Sequence, residues 1–532
     1  MPLYQFFIFA LLLSYHPSTI SPLQAQTEHG RNYKVHYYDL SIHPDIQTRS
    51  IKGNNRIHMQ ALGDLPIIEL DLAIYLRVDS IFLDDSKVSF TRTRSDKILI
   101  KPDIPIPDDQ QAIIHVYYQG NPTISRNPPW DGGMIWTLDS LSRPWIAVAC
   151  EGIGASSWWP CDDRWSSEAD SMRISILTDS SLFAVSNGVL TNTEILGRKK
   201  RFVWKVNYPI NNYCATINIG AYTRFSDTLE RSDGGSLAID YYVLDYNLTK
   251  ARRHFRQVPE ILRTFEHLFG RYPFEKDGYA LVETPYWGME HQSAIAYGND
   301  YKNNFFGYDY IIVHESAHEW WGNQLTADTR ENMWIHEAFA TYSEILLLEK
   351  LYGKETANQH LLKQKTRILN QRPIASFDRN VTTKDTDQYY KGSWMLHTIR
   401  NMINDDTLWL HSLRELQRRF AYQTITRDEL INTWSELLGV DLHPVVSHYL
   451  DLKDLPELLY HVKNKKRSRR LRLKWNTPIQ NFSLPVFISD DEEALRIDHI
   501  SGKKFRRVIL SSGIGEPDFN HDYILYTITL VP

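Results

Sequence analysis

The sequence predicts a multidomain α+β protein. Strand-like alternation fills residues 30 to about 235, helical periodicity takes over to about 453, and alternation returns beyond Leu455. At 532 residues, with 42% hydrophobic and 12% aromatic content, the chain has material for three or four domains with large cores. Its formal charge of −5 is mild and argues against a nucleic-acid partner, which would call for a strongly basic surface.

In chain order, the first element is a short apolar run, Phe6-Phe7-Ile8-Phe9-Ala10-Leu11-Leu12-Leu13, followed by Leu23-Gln24-Ala25 as a cleavage signal. Residues 1–25 are therefore expected to be a secretory leader, and the mature protein secreted or periplasmic. The run is too short to span a bilayer, and no later stretch reaches that length. Residues 26–235 are expected to form a β domain, as in Tyr37-Tyr38-Asp39-Leu40-Ser41-Ile42-His43-Pro44 and Ile51-Lys52-Gly53-Asn54-Asn55-Arg56-Ile57. Residues 236–453 read as mainly helical, with amphipathic runs at Pro259 to Phe269, where proline suits the first turn, and at Leu408 to Phe420. Residues 454–532 read as a small β-sandwich, from Leu471-Arg472-Leu473-Lys474-Trp475 and Leu484-Pro485-Val486-Phe487-Ile488. The basic run Lys463 to Arg470 is expected in a hairpin turn as a solvated charge cluster. Cys150, Cys161 and Cys214 allow at most one bridge, and none is placed to join a metal site.

The chemistry is concentrated in Tyr310-Ile311-Ile312-Val313-His314-Glu315-Ser316-Ala317-His318-Glu319-Trp320-Trp321, a stretch without Pro or Gly that can be helix throughout. At about 3.6 residues per turn, His314 and His318 share one face a turn apart, where two imidazoles reach one metal. Zinc suits such a site: it takes neutral imidazoles and a carboxylate in a tetrahedron, leaving the fourth position to water in a catalytic centre. After eighteen intervening residues Glu337 supplies the carboxylate, in Met333-Trp334-Ile335-His336-Glu337-Ala338-Phe339-Ala340-Thr341-Tyr342, which reads as a second helix packed on the first. His336 is the rival ligand, but it points about 100° away from Glu337. Glu315 is displaced by about 100° from His314, off the ligand line, and is free to act as a general base. Glu344, seven residues beyond Glu337, lies at nearly the same azimuth two turns on; it reads equally as a second-nitrogen partner of a ligating histidine or as a solvated glutamate.

These residues resemble the aminopeptidase N-like family of zinc metallopeptidases, gluzincins whose pattern is this motif, an eighteen-residue spacer and a glutamate. Trp287-Gly288-Met289-Glu290-His291 is similar to the family's Gly-Ala-Met-Glu-Asn segment, which implies that Glu290 binds the substrate's free amino terminus with Gly288 and Met289 beside it. Tyr389-Tyr390-Lys391-Gly392 resembles Tyr-x-Lys-Gly, which implies that Tyr389 donates to the oxyanion. Cys150-Glu151-Gly152 through Trp158-Trp159-Pro160-Cys161 is similar to the segment carrying a second amine anchor, here Glu151. Trp287 and His291 depart from the family's glycine and asparagine, and His336 from its asparagine. Asn323 matches a family Gly-Asn, although a helix C-terminus explains Gly322 and Asn323 equally well.

The resemblance further implies a saddle-like N-terminal β-sandwich, with Tyr208-Pro209-Ile210-Asn211-Asn212-Tyr213 as its closing strand, and a thermolysin-like catalytic domain. The large helical domain that many members carry after the small sandwich has no room before Pro532, which leaves the cleft open to longer peptides. The implied function is a zinc-dependent aminopeptidase with one Zn2+ per chain, acting on peptides with a free N-terminal amine. A peptide α-amino group has a pKa of about 7.7–8.0, so it is largely cationic and suits two carboxylate anchors. The alternatives are a non-catalytic scaffold relative, disfavoured by the intact His314, Glu315, His318, Glu337 and Tyr389, and an epoxide hydrolase-type activity on the same scaffold. Oligomeric state is left open.

Overall fold

The computed structural model describes residues 31–231, 233–376, 385–465, 468–490, 493–510 and 517–532, and the elements named below are those among them. The expected leader, residues 1–25, lies outside the described residues. From residue 31 the chain builds an eight-stranded sheet in which Tyr33–Asp45 pairs antiparallel with Ser50–Ala61 and parallel with Ser171–Asp179. A bulge between Val35 and Tyr37 changes which residues face inward. Tyr33 and Val35 are buried before it, and Tyr38, Leu40 and Ile42 after it, because one extra residue flips a period-two pattern. A four-stranded sheet of Phe183–Ser186, Ile217–Gly220, Pro144–Ala149 and Gly133–Leu138 completes the β-rich part. The expected closing strand at 208–213 is shorter than its pattern promised: only Ile210–Asn211 is a strand. Asn211 then caps a 3-10 turn at Asn212–Cys214, its side chain accepting the Tyr213 N–H, and this turn carries Tyr213 towards the helical part.

A five-stranded sheet follows in the order Tyr222–Glu230, Ser236–Leu244, Tyr279–Glu283, Ile295–Tyr297, Gly288–Met289. The expected division at 235/236 falls in the turn between its first two strands, which pair along their whole length, so the sheet assigns both to the helical part. Helices α1 (Leu248–His254) and α2 (Val258–Phe269) precede the site. Pro259 stands in the first turn of α2, and Ile261, Leu262, Phe265 and Leu268 line its buried face, as the amphipathic pattern requires. Then come α3 (Tyr310–Ala317), α4 (Trp334–Tyr352), α5 (Lys354–Lys365), α6 (Asp387–Ile403), α7 (Asp406–Arg419), α8 (Arg427–Leu438) and α9 (His443–Asp451). No described helix is long and apolar enough to cross a membrane.

The C-terminal part is two facing sheets, one containing Glu457–Lys465 and Ser468–Asn476, the other Ser483–Asp490 and Glu493–Ser501. Leu471, Leu473 and Trp475 from one side and Leu484, Val486 and Ile488 from the other are buried in a core continuous with that of the helices. The basic run does end a hairpin, with Lys465 opposite Ser468. All three cysteines are buried and unbridged.

Two contacts fix α6, the helix that carries Tyr389. Lys391, fully buried, donates to the carbonyls of Leu452 at 2.9 Å and Lys453 at 2.8 Å, closing the end of α9. On the other side Gly392 faces α4 so closely that a Cβ there would stand 2.6 Å from Ala338 Cβ. Gly392→Ala is expected to push α4 and α6 apart and to destabilise by about 1–3 kcal/mol, the usual range for overpacking, read as a lowered Tm in thermal unfolding.

Candidate active site

The expected helix through Trp321 is shorter than its apolar run. Asp309 starts α3 by accepting the Ile311 N–H at 3.1 Å. That carboxylate is held in turn by Tyr297 Oη at 2.7 Å and Asn299 Nδ2 at 2.8 Å. The helix ends at Ala317 with His318 as its cap residue, still in helical geometry. Beyond it the chain closes wide turns in which the N–H groups of Asn323, Gln324 and Leu325 reach back to the carbonyls of His318, Glu319 and Trp320. Gly322, at φ 134, makes the exit possible.

This early ending frees the Trp321 carbonyl, which faces His318 Nδ1 at 2.9 Å. A carbonyl accepts only, so Nδ1 carries the proton and Nε2 presents a lone pair. For His314 the corresponding partner is Glu344, whose Oε1 lies 3.1 Å from Nδ1. Of its two sequence readings, Glu344 thus has the supporting one: it is buried in α4 and also meets His360 Nε2 of α5 at 3.5 Å. Both Nε2 atoms consequently point at the same place, where Glu337 waits in the first turn of α4. His314 Nε2 is 3.2 Å from Glu337 Oε2 and 3.2 Å from His318 Nε2, and His318 Nε2 is 3.6 Å from Glu337 Oε2.

Three electron-pair donors that close to one another need a positive charge between them. Burial opposes protonation of His314, but hydrogen bonds with Glu337 and Glu344 carry its pKa well above the ordinary histidine value. His318 is likewise raised against its burial, by Glu337 and Glu290. Burial pushes Glu337 up, yet the two imidazoles override it and hold the carboxyl far below its usual range. The donor set fits zinc, whose ligands at about 2.0–2.2 Å stand about 3.3–3.6 Å apart in a tetrahedron.

The remaining acids crowd the same space. Glu315, Glu290 and His318 bring donor atoms within 4.8 Å of one another. Glu315 is buried and pushed up to about 8, first by burial and then by Glu290 and Glu337, with the two histidines opposing. Gly288 passes so near that a Cβ on it would lie 2.5 Å from Glu315 Oε1, so a side chain there would press on that carboxyl. Glu290 is also raised, chiefly by burial. Glu151, half-buried, is raised well above the usual carboxylate range by burial and then by Glu290 and Glu337, and its shielded Oε1 finds no hydrogen-bond partner among the described residues. Met289 is 3% exposed and packs into the core of the β-rich part. Tyr389, half-buried, sets its ring 5.9 Å from that of His314. Burial and the charge of Glu337 and Glu151 raise its pKa, which keeps the hydroxyl protonated as a donor.

Sequence reasoning passed over the residues that hold Glu290. Tyr213 Oη donates to Glu290 Oε1 at 3.1 Å. Behind it, His336 Nε2 accepts the Ala327 N–H at 2.8 Å, so its proton sits on Nδ1, which faces Tyr213 Oη at 3.4 Å. Burial lowers His336 to about 3, and the neutral ring stacks on Trp165 with centroids 5.7 Å apart. Asn323 donates to the Glu290 carbonyl at 3.0 Å and to Glu319 at 2.8 Å; Glu319 also accepts from Ser293 N at 3.1 Å and from Tyr272 Oη. No local period marks these residues, because their partners lie up to 123 positions away.

The Peptidase M1 N-terminal domain pattern matches residues 34–213 and the Peptidase family M1 domain pattern residues 256–449, together more than half of the chain. The chain belongs to peptidase family M1. It is 21% identical over 457 residues to a leucyl aminopeptidase of Saccharolobus solfataricus, covering 82% of this chain and 55% of the relative. To a leukotriene A-4 hydrolase of Xenopus laevis it is 22% identical over 433 residues, covering 76% and 68%. The chain spans about half the length of the aminopeptidases it matches, as in the 51% covered of aminopeptidase M1 from Arabidopsis thaliana. Among solved structures, an M1 zinc metallopeptidase from Deinococcus radiodurans bound to a Tyr-Ser-Ala substrate superposes with TM-score 0.69 at 20% identity, over 80% of this chain and 96% of that one. This likeness confirms the β-rich N-terminal part and the helical catalytic part.

Because Glu344 fixes the proton on His314 Nδ1, Glu344→Ala is expected to weaken zinc affinity about 10–100-fold, the usual cost of losing such a partner. Competition titration against a chromogenic chelator measures it, with circular dichroism showing that the fold is kept.

Proposed function

We propose that this protein is a zinc-dependent aminopeptidase that removes N-terminal residues from peptides. One observation carries the reading: a two-histidine, one-glutamate donor set lies beside a buried base and beside two further carboxyls, Glu290 and Glu151, both raised by burial and by the neighbouring acids. A structural zinc centre has no use for those acids, whereas a peptide's terminal ammonium offsets the negative charge they crowd together. Hydrogen bonds to charged groups contribute about 1.5–3 kcal/mol each, enough to favour a free terminus over a blocked one at least tenfold.

His314, His318 and Glu337 would hold the zinc, which supplies Lewis acidity to the scissile carbonyl and to the attacking water. Glu290, oriented by Tyr213, and Glu151 bind the terminal amine and so place the first peptide bond against Glu315. With a carboxyl pushed up to about 8, Glu315 takes a proton from the water as its oxygen bonds to the carbonyl carbon, and returns it to the nitrogen as the C–N bond breaks. Tyr389 donates its hydroxyl hydrogen to the carbonyl oxygen while charge develops there. Export with a cleaved leader is supported by the apolar run Phe6 to Leu13.

Purified protein is expected to cleave free aminoacyl reporter amides, to leave their N-acetylated counterparts intact and to lose activity to a chelator. Equal cleavage of capped and free reporters would overturn the proposal. Glu315→Gln is expected to keep zinc, measured by elemental analysis, while abolishing turnover. Tyr389→Phe is expected to lower kcat by about 10²–10³ with zinc content unchanged, as for loss of one oxyanion donor.

A further inference from the structure

The chain departs from the family pattern at Trp287, which immediately precedes the strand beside Glu315. The strand Gly288–Met289 is the outermost of the five-stranded sheet, paired with Ile295–Tyr297. Along it, Glu290 marks the amine end, and Gly288 lies against Glu315, level with the bond to be cleaved. One residue further on, away from the amine, is Trp287, on the side where the leaving peptide must lie.

Its backbone is held firmly. The Trp287 carbonyl accepts from Gly298 N at 2.7 Å, Thr284 Oγ1 donates to the Tyr286 carbonyl at 3.0 Å, and Tyr286 Oη donates to the Val148 carbonyl at 3.0 Å. Any Cβ at Gly298 would collide with the Tyr286 carbonyl at 1.8 Å, so the two segments are in close contact. On this fixed frame the indole is nevertheless 56% exposed, although most of the largest side chains in the protein are fully buried. Its ring meets the edge of Tyr310, with centroids 6.3 Å apart at 88°. Tyr310 is one helical turn before His314 on the same face of α3. A rigid, flat apolar surface thus flanks the site on its leaving side, with one face turned to solvent.

Resting on the aminopeptidase reading, we propose that Trp287 is a specificity-determining residue that packs against the side chain following the cleaved bond, favouring aromatic and large aliphatic residues there. Glycine, as in the family pattern, offers no such surface. Aromatic pairing adds to area burial, so an aromatic side chain in that place should gain about tenfold over glycine.

The test compares kcat/KM for Ala-Phe-Gly and Ala-Gly-Gly in the wild-type zinc enzyme, Trp287→Ala and Trp287→Phe. The wild type is expected to favour the phenylalanine peptide, Trp287→Ala to lose about tenfold of that ratio, and Trp287→Phe to retain most of it. In a Glu315→Gln background, calorimetric Kd values for the two peptides should show the same loss of discrimination without turnover. A ratio unmoved by Trp287→Ala, or a shift instead in preference for the first residue (Leu-Gly-Gly against Ala-Gly-Gly), overturns the assignment while leaving the aminopeptidase reading intact. A wild-type enzyme that cleaves none of these free-amine peptides overturns both.

Discussion

The site depends on which nitrogen of each histidine carries its proton. A carbonyl freed by the early end of α3 takes the Nδ1 hydrogen of His318, and a carboxylate two turns along α4 takes that of His314. Neither partner touches the space between the rings, yet together they turn both Nε2 lone pairs onto one point opposite Glu337. A free imidazole exchanges tautomers readily, so without these partners the metal would compete with a proton at each ring. The other acids of the site, Glu315, Glu290 and Glu151, crowd around the charge that those three donors require.

Two glycines keep that arrangement compact. Gly288 lets the outer strand run against Glu315, and Gly392 lets α6 lie on α4, which brings the Tyr389 ring near His314. In both places a single methyl group would sit closer than van der Waals contact to a facing side chain, that of Glu315 or of Ala338. Lys391 locks α6 from its other side by closing carbonyls at the end of α9. The short sequence Tyr389 to Gly392 therefore joins a hydroxyl at the site to the two contacts that aim it.

What was legible in the sequence followed the range of the interactions. Helix α2 and the strands Tyr33–Asp45 and Ser50–Ala61 announced themselves because burial on one face imposes a local period, whereas α4 is buried on all sides from Trp334 to Leu348. The convergence of His314, His318 and Glu337 was legible because two of them lie one turn apart and the third begins the next long helix. The end of α3 was not, since its apolar run continues to Trp321 and only the wide turns after Gly322 show why the helix stops. Likewise strand alternation continues unbroken near 235, and only the pairing of Tyr222–Glu230 with Ser236–Leu244 shows that these two strands share a sheet. His336 and Asn323 were noticed in the sequence but given no role, and Tyr213 was read only as part of a strand, for each acts through a partner distant in the chain.

The acid cluster also links metal and substrate. Glu151 and Glu290 sit in the field of Glu337 and Glu315, and each raises the cost of ionising another. A cation among the histidines relieves that field and leaves the amine anchors more fully ionised, which strengthens their hold on an ammonium. An ammonium at Glu290 and Glu151 in turn favours the ionised form of the nearby acids. In the proposed function, selectivity for a free terminus and retention of the metal are therefore two expressions of one electrostatic requirement, built from carboxyls that burial alone would have kept neutral.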